Sequence, residues 1–417
     1  MKIEKLVYGG FGIGREEGKV YFVPYVLPDE EVVVSPIKEK KEYIEAKLKE
    51  IIEENPDRTK PECEYFGLCG GCDYLHIKYQ AQLKYKKAIL QEIFQRIAKI
   101  DIEIDNIIPS ENQYFYRNKT QLKVDTKSGK IGFYKKNLNE VVEIDKCLLV
   151  SEEINPVITN LKKVIPLLPV LPKEIHIFSN QKEILLKFIY KKEPRKIILT
   201  KDRVKKFISP LVVGFGDYVE KDGKIEKLRF VGQDYLIFDI EGFKYKASVD
   251  SFFQVNKFQI KNLINLVLKH IDYDKVADLY CGVGLFTIPA SKICKEAIGV
   301  EISYQAIKDA NFNKKLNNLK NVKFYPSSTE KALQIIKYFS PDIVIIDPPR
   351  AGLTKEVINQ LVNISNLKKI IYVSCDPATL ARDVKLFIEN GFKIKETNLI
   401  DMFPNTYHIE SIIVIER

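Results

Sequence analysis

A mixed α/β chain is what this sequence predicts, on three observations. The first fifty residues are short strand-like runs broken by Gly and Pro. The middle of the chain alternates apolar and polar positions, as antiparallel strands do. From about Asp250 to Arg417, strands of about five residues alternate with helical segments, the pattern of a doubly wound parallel sheet. At 417 residues the chain can bury two or three cores.

The elements follow in order. Lys2–Tyr8, Lys19–Pro24, Glu31–Ser35 and Tyr43–Ile52 read as strands, with turns at Gly9–Gly12 and Leu27–Glu30. Short strands in so little chain suggest a small OB-like barrel over residues 1–58. A cysteine-bearing connection runs from Pro61 to Tyr74. Ile77–Ala98 is helical, with Leu83, Ala88, Leu90, Ile93, Phe94 and Ile97 as apolar positions among Lys and Gln. The strands Lys119–Val124, Lys130–Tyr134, Glu174–Phe178, Glu183–Tyr190, Lys224–Val231 and Asp234–Ile240 make 59–249 a β-rich region. Residues 250–417 form the third part.

Composition narrows the classes. No apolar run is long enough to span a membrane, and Met1–Gly10 carries charges where a signal peptide needs an apolar stretch, so a cytoplasmic protein is expected. In that reducing compartment seven cysteines point to thiol chemistry or metal ligation rather than disulfides. The net charge is +10, unevenly spread: residues 1–60 hold 11 Lys/Arg against 13 Asp/Glu, and the remainder is strongly basic. A basic surface attracts nucleic acid, although a solvated Lys/Glu-rich surface of the kind found in heat-adapted proteins has the same composition.

Three motifs carry chemistry. Val276–Thr287 (Val-Ala-Asp-Leu-Tyr-Cys-Gly-Val-Gly-Leu-Phe-Thr) reads as a strand, a glycine turn and a helix start, where backbone can approach a ligand closely. The next strand ends at Glu301, placed to accept both ribose hydroxyls. The turn lacks a third glycine, and a later strand ends in Asp347-Pro348-Pro349-Arg350, which resembles the motif of S-adenosylmethionine-dependent methyltransferases; that resemblance implies a methyl donor rather than a nicotinamide dinucleotide. Lastly, the buried strand Lys369–Ser374 runs into Cys375-Asp376-Pro377, where Pro377 suits the first turn of a helix. The helix N-terminus is expected to favour a Cys375 thiolate. Glu410 precedes the apolar strand Ile412–Ile415, and His408 nearby reads as structural.

Taken together, Ser251–Asn256, Asp278–Thr287, Asp347–Leu353, Ser374–Asp383 and Met402–Ser411 resemble the RNA 5-methyluridine methyltransferase family, the RumA/RlmD-like branch of the TrmA superfamily. The resemblance implies a Rossmann-like class I methyltransferase domain, with Cys375 as the nucleophile that adds to uracil C6 and Glu410 as the base that removes the C5 proton. Gln254, Tyr280, Glu301 and Asp347 match positions that bind S-adenosylmethionine, Ser328 is a looser match, and Leu285 stands where some members have Asn. Gly12–Arg15, Gly18–Pro24 and Leu27–Glu30 resemble the TRAM domain, an RNA-binding barrel.

Cys63, Cys69 and Cys72 lie on a tight glycine turn and Cys147 makes a fourth; such a set holds zinc or an iron–sulfur cluster. In the resembling branch these four hold a 4Fe-4S cluster. Cys281 and Cys294 are left as core residues. The segment 78–113 is expected to pack on the catalytic part, and Tyr114–Lys119 either contacts RNA or starts a sheet. The expected activity is methylation of uridine C5 in RNA. 23S rRNA is the favoured substrate and the T-loop of tRNA the alternative; a non-catalytic RNA-binding or chaperone protein is the rival reading. No obligatory protein partner is expected.

Overall fold

A computed structural model describes residues 1–194 and 199–417. Its N-terminal strands are β1 (Ile3–Val7), β2 (Phe11–Glu16), β3 (Lys19–Pro24), β4 (Glu31–Glu39) and β5 (Tyr43–Glu53), hydrogen-bonded in the order β1-β2-β3-β5-β4. A bridge between Lys2 and Glu31 closes the sheet, and the Ile3 N–H donates to the Glu30 carbonyl at 2.9 Å. Closure removes the exposed edges that a five-stranded sheet would otherwise present. β2 was hidden in the sequence by its glycines, which the packing requires: a Cβ on Gly12 would lie 2.4 Å from Val26 Cγ2. The barrel core is Ile3, Val23, Val26, Val32, Ile44 and Ala46. At its exit the fully buried Glu30 takes the Arg58 guanidinium at 2.5 Å.

Helix α1 (Tyr79–Ile93) ends in a single π-helical turn, Phe94–Ala98, within the helix expected from the sequence. It packs against the catalytic part, where its Lys86 meets Asp401 at 2.7 Å with both side chains fully buried. A short strand follows, β6 (Asn106–Ile108).

The middle sheet is built from β7 (Lys119–Val124), β8 (Ile131–Tyr134), β9 (Val141–Glu143), β10 (Glu174–Ser179), β11 (Ile184–Tyr190), β12 (Val212–Lys221) and β13 (Lys224–Gly232). Its order is β13-β12-β11-β10-β7-β8-β9, and helices α2 (Ile154–Val164) and α3 (Lys201–Phe207) lie between its strands in sequence. A separate hairpin of β14 (Tyr235–Ile240) and β15 (Phe243–Ser248) leads into the last part.

That part contains α4 (Ile260–Leu268), β16 (Lys275–Leu279), α5 (Thr287–Ala290), β17 (Glu296–Glu301), α6 (Tyr304–Leu316), β18 (Val322–Pro326), α7 (Thr329–Phe339), β19 (Ile343–Ile346), α8 (Lys355–Val362), β20 (Lys369–Ser374), α9 (Pro377–Glu389), β21 (Lys393–Ile400) and β22 (Glu410–Glu416). The sheet order is β18-β17-β16-β19-β20-β22-β21-β6, with β16 to β20 parallel and β22 antiparallel to both neighbours. This is the Rossmann-like sheet the sequence predicts, extended at one edge by β6. β16, β19, β20 and β22 are buried throughout or nearly so, as strands covered on both faces are. The order reverses between β16 and β19, which opens a crevice at their carboxyl ends.

Candidate active site

The crevice is lined by Gln254, Tyr280, Gly282, Leu285 and Asp347. β16 ends at Leu279, and Tyr280, Gly282 and Gly284 all adopt positive φ, at 64°, 53° and 87°. That left-handed backbone turns the chain sharply and frees it to approach a ligand, which is why two of the three are glycine. Glu301, at the end of β17, fixes the turn from the neighbouring strand: it accepts from the Gly282 N–H at 3.2 Å and the Ser303 N–H at 2.7 Å. Asp347 follows β19, and the Gln254 side-chain amide donates to it at 3.5 Å. Ser328 begins helix α7. Its hydroxyl caps α7 by accepting from the Lys331 N–H, and it is not part of the crevice lining.

The crevice is acidic. Burial pushes Asp347 up to about 7, with the Gln254 amide opposing, and pushes Asp278 up to about 7 as well. One oxygen of the fully buried Asp278 receives the Thr287 hydroxyl, while its Oδ1 has no partner. Carboxyls packed together in this way suit a positively charged ligand.

Cys375 follows β20 directly. Register pairs Ser374 with Ser411 and Ile400 with Glu410, so the thiol and the Glu410 carboxyl stand at adjoining strand ends. The helix end does not activate the thiol as expected. Asp376 takes the first N–H groups of α9 for itself, accepting from Ala378 at 3.1 Å and Thr379 at 2.9 Å. Burial, then Glu410 and Asp347, push the Cys375 thiol up to about 11. The opposing group is Arg350, whose guanidinium favours the thiol's anion. Glu410 is 3% exposed; burial and then Asp347 hold its carboxyl well above the usual range, again against Arg350. His408 lies 3.5 Å from Arg350, and burial with that positive neighbour lowers it to about 3, so it is uncharged. Arg350 has no role in the sequence reading, although its place directly after Asp-Pro-Pro at a strand end is the signal that could have found it.

The four cysteines Cys63, Cys69, Cys72 and Cys147 line one cavity together with Arg117. Burial pushes Cys69 up to about 11 and also raises Cys72 and Cys147; Arg117 opposes each rise. Among the described residues, no group of three or more His, Cys, Asp or Glu stands in a metal-holding array, so the thiols share a cavity without forming a preassembled site. Cys281 and Cys294 are buried in the catalytic core.

A family model for tRNA (uracil-5-)-methyltransferases matches residues 78–417. An RNA methyltransferase of Aquifex aeolicus is 38% identical, the match covering 100% of this chain and 98% of the relative. One of Clostridium acetobutylicum is 34% identical over 98% of this chain and 94% of that protein. Among solved structures, the tRNA (uracil-54, C5)-methyltransferase of Pyrococcus abyssi in complex with S-adenosyl-L-homocysteine superposes with a TM-score of 0.80 at 25% identity, covering 100% of this chain and 99% of that one. With the parallel sheet, the acidic crevice at its switch point and the cysteine beside it, these matches identify the chain as a member of the tRNA (uracil-5-)-methyltransferase family.

Proposed function

We propose that the protein methylates uridine C5 in RNA, with S-adenosylmethionine as donor and Cys375 as covalent nucleophile. The observation that carries the reading is the meeting of one thiol, one guanidinium and two carboxyls, Cys375, Arg350, Glu410 and Asp347, of which Asp347 lines the crevice. Uracil C5 is too weak a nucleophile to be methylated directly, so the reaction needs a thiolate and a base at one place. Arg350 stabilises the Cys375 thiolate, which adds to C6 and shifts an electron pair onto C5. When bound, S-adenosylmethionine supplies an electrophilic methyl group for that carbon. Gln254, Tyr280, Glu301 and Asp347 hold the donor, and the carboxyls of the crevice complement its positive charge. Glu410 then takes the C5 proton, the S–C6 bond breaks, and the thiolate returns. The target base is flipped out of the RNA fold to reach the crevice.

Residues 1–58 are proposed as a TRAM-type RNA-binding domain, 59–249 as the central domain and 250–417 as the catalytic domain of a cytoplasmic enzyme. The four cysteines are proposed to hold a 4Fe-4S cluster with a structural role. The four thiols line one cavity, where Arg117 offsets the negative charge of a bound cluster. Iron and sulfide in a 1:1 ratio after anaerobic purification is the expected result; zinc at full occupancy without sulfide overturns it.

Full-length likeness to an enzyme of uridine 54 favours the tRNA T-loop, and the cysteine pattern favours 23S rRNA. Labelled S-adenosylmethionine with RNA from a host lacking 5-methyluridine tests both readings. Label in 5-methyluridine of one RNA fraction is expected. Label in 5-methylcytidine, or none from cluster-loaded protein, overturns the proposal. Cys375→Ala abolishes transfer, and Glu410→Gln accumulates an RNA–protein adduct that survives denaturing gel electrophoresis.

A further inference from the structure

The turn between β1 and β2 reaches the catalytic loop. Its Tyr8 packs against the core that contains α9 and β20, and its ring meets Tyr407 edge-on, with centroids 5.3 Å apart and planes at 88°. The Tyr8 hydroxyl donates to the main-chain carbonyl of Cys375 at 3.2 Å. On the other side of that peptide unit, the Asp376 N–H donates to Ser374 Oγ at 3.1 Å. The Cys375–Asp376 peptide is therefore held at both ends, and one holder comes from a different part of the fold.

The turn itself is firmly seated. Gly10 has φ of +78°, and a Cβ there would lie 2.9 Å from Asp73 Cβ. The Asp73 carboxylate meets Lys136 at 2.7 Å, and its N–H donates to the Asn405 carbonyl at 3.1 Å. Leu6 and Leu27 of the barrel are buried in the same core as α9, and Lys5 meets Glu92 of α1 at 2.7 Å. The barrel is docked onto the catalytic part rather than tethered to it.

We infer that Tyr8 is a positioning residue: from the N-terminal barrel it fixes the peptide plane after the nucleophile, and so the direction in which the Cys375 thiol faces. The inference rests on the proposed nucleophilic role of Cys375. A thiol that swings with an unpinned peptide spends less time aimed at C6, which lowers turnover and leaves RNA affinity untouched.

Tyr8→Phe is the test, because it keeps the ring and its contact with Tyr407. Loss of one hydrogen bond predicts about a fivefold fall in kcat with the KM for RNA unchanged. Hydrogen–deuterium exchange at Asp376, Ala378 and Thr379 should quicken, with exchange in β1 to β5 as in the wild type. Unchanged kcat and exchange overturn the inference. So does a raised KM at normal kcat, which makes Tyr8 an RNA contact, or faster exchange across the whole barrel, which makes its role only structural. Full activity in Cys375→Ala refutes the nucleophile itself, and the exchange comparison still shows whether Tyr8 holds the loop.

Discussion

Burial, Glu410, Asp347 and Arg350 together set the ionisation of Cys375. Its place between a buried strand and a proline-led helix was readable, since the apolar run Lys369–Ser374 and Pro377 mark both borders. What sets its ionisation was not. Asp376 occupies the helix end, and the group facing the thiol is Arg350, 25 positions earlier in the chain. In the free enzyme, alkylation of Cys375 should therefore rise with pH toward a midpoint near the thiol's value of about 11. Arg350→Met removes the stabilising charge, so the midpoint moves higher and the rate at pH 9 falls. Iodoacetamide kinetics read on the Cys375 peptide by mass spectrometry check this, and a wild-type midpoint below 9 sinks the account of a burial-suppressed thiol.

Among the elements, β12 shows why some strands escaped a pattern reading. Val212–Lys221 is interrupted by Gly214 and Gly216, which weaken a strand by propensity. Packing demands both: a Cβ on Gly214 would lie 1.8 Å from the Gln233 carbonyl oxygen, and one on Gly216 2.5 Å from the Phe230 ring. The segment Tyr116–Asn118 joins distant pieces in the same way. The Tyr116 hydroxyl donates to the Pro404 carbonyl at 3.0 Å, Arg117 lines the cysteine cavity, and Asn118 holds the Gln254 main chain, its side-chain amide donating to the Gln254 carbonyl at 3.0 Å. Asn118 is 1% exposed, so removing its amide leaves a buried carbonyl unpaired, at about 1–3 kcal/mol. Asn118→Ala should weaken S-adenosylhomocysteine binding about fivefold or more, measured by titration calorimetry. Unchanged affinity would show that Gln254 is positioned without it.

The whole molecule carries the cost of its acidic crevice. Asp278 binds its proton more tightly in the fold than in the unfolded chain, at about 7 against 3.8. Its contribution to stability is therefore full below pH about 4 and declines as pH rises toward 7. The ligand-free protein should lose stability across that window, and Asp278→Asn should flatten the slope. Melting temperatures at pH 5 and pH 8 measure it; identical slopes in the two proteins would remove Asp278 from the account.

By itself, the sequence determined the mixed α/β class, the parallel sheet and the motif residues at its strand ends, because strand periodicity and glycine turns are local properties of the chain. It also placed Cys375 and Glu410 correctly at strand borders. The tertiary structure decided what those residues face. Only packing brings Arg350 to the thiol, Tyr8 of the barrel to the Cys375 carbonyl, β6 to the sheet edge and four cysteines around one cavity. Such contacts join residues tens to hundreds of positions apart, and no local pattern encodes them; they follow from which buried faces must meet to exclude water.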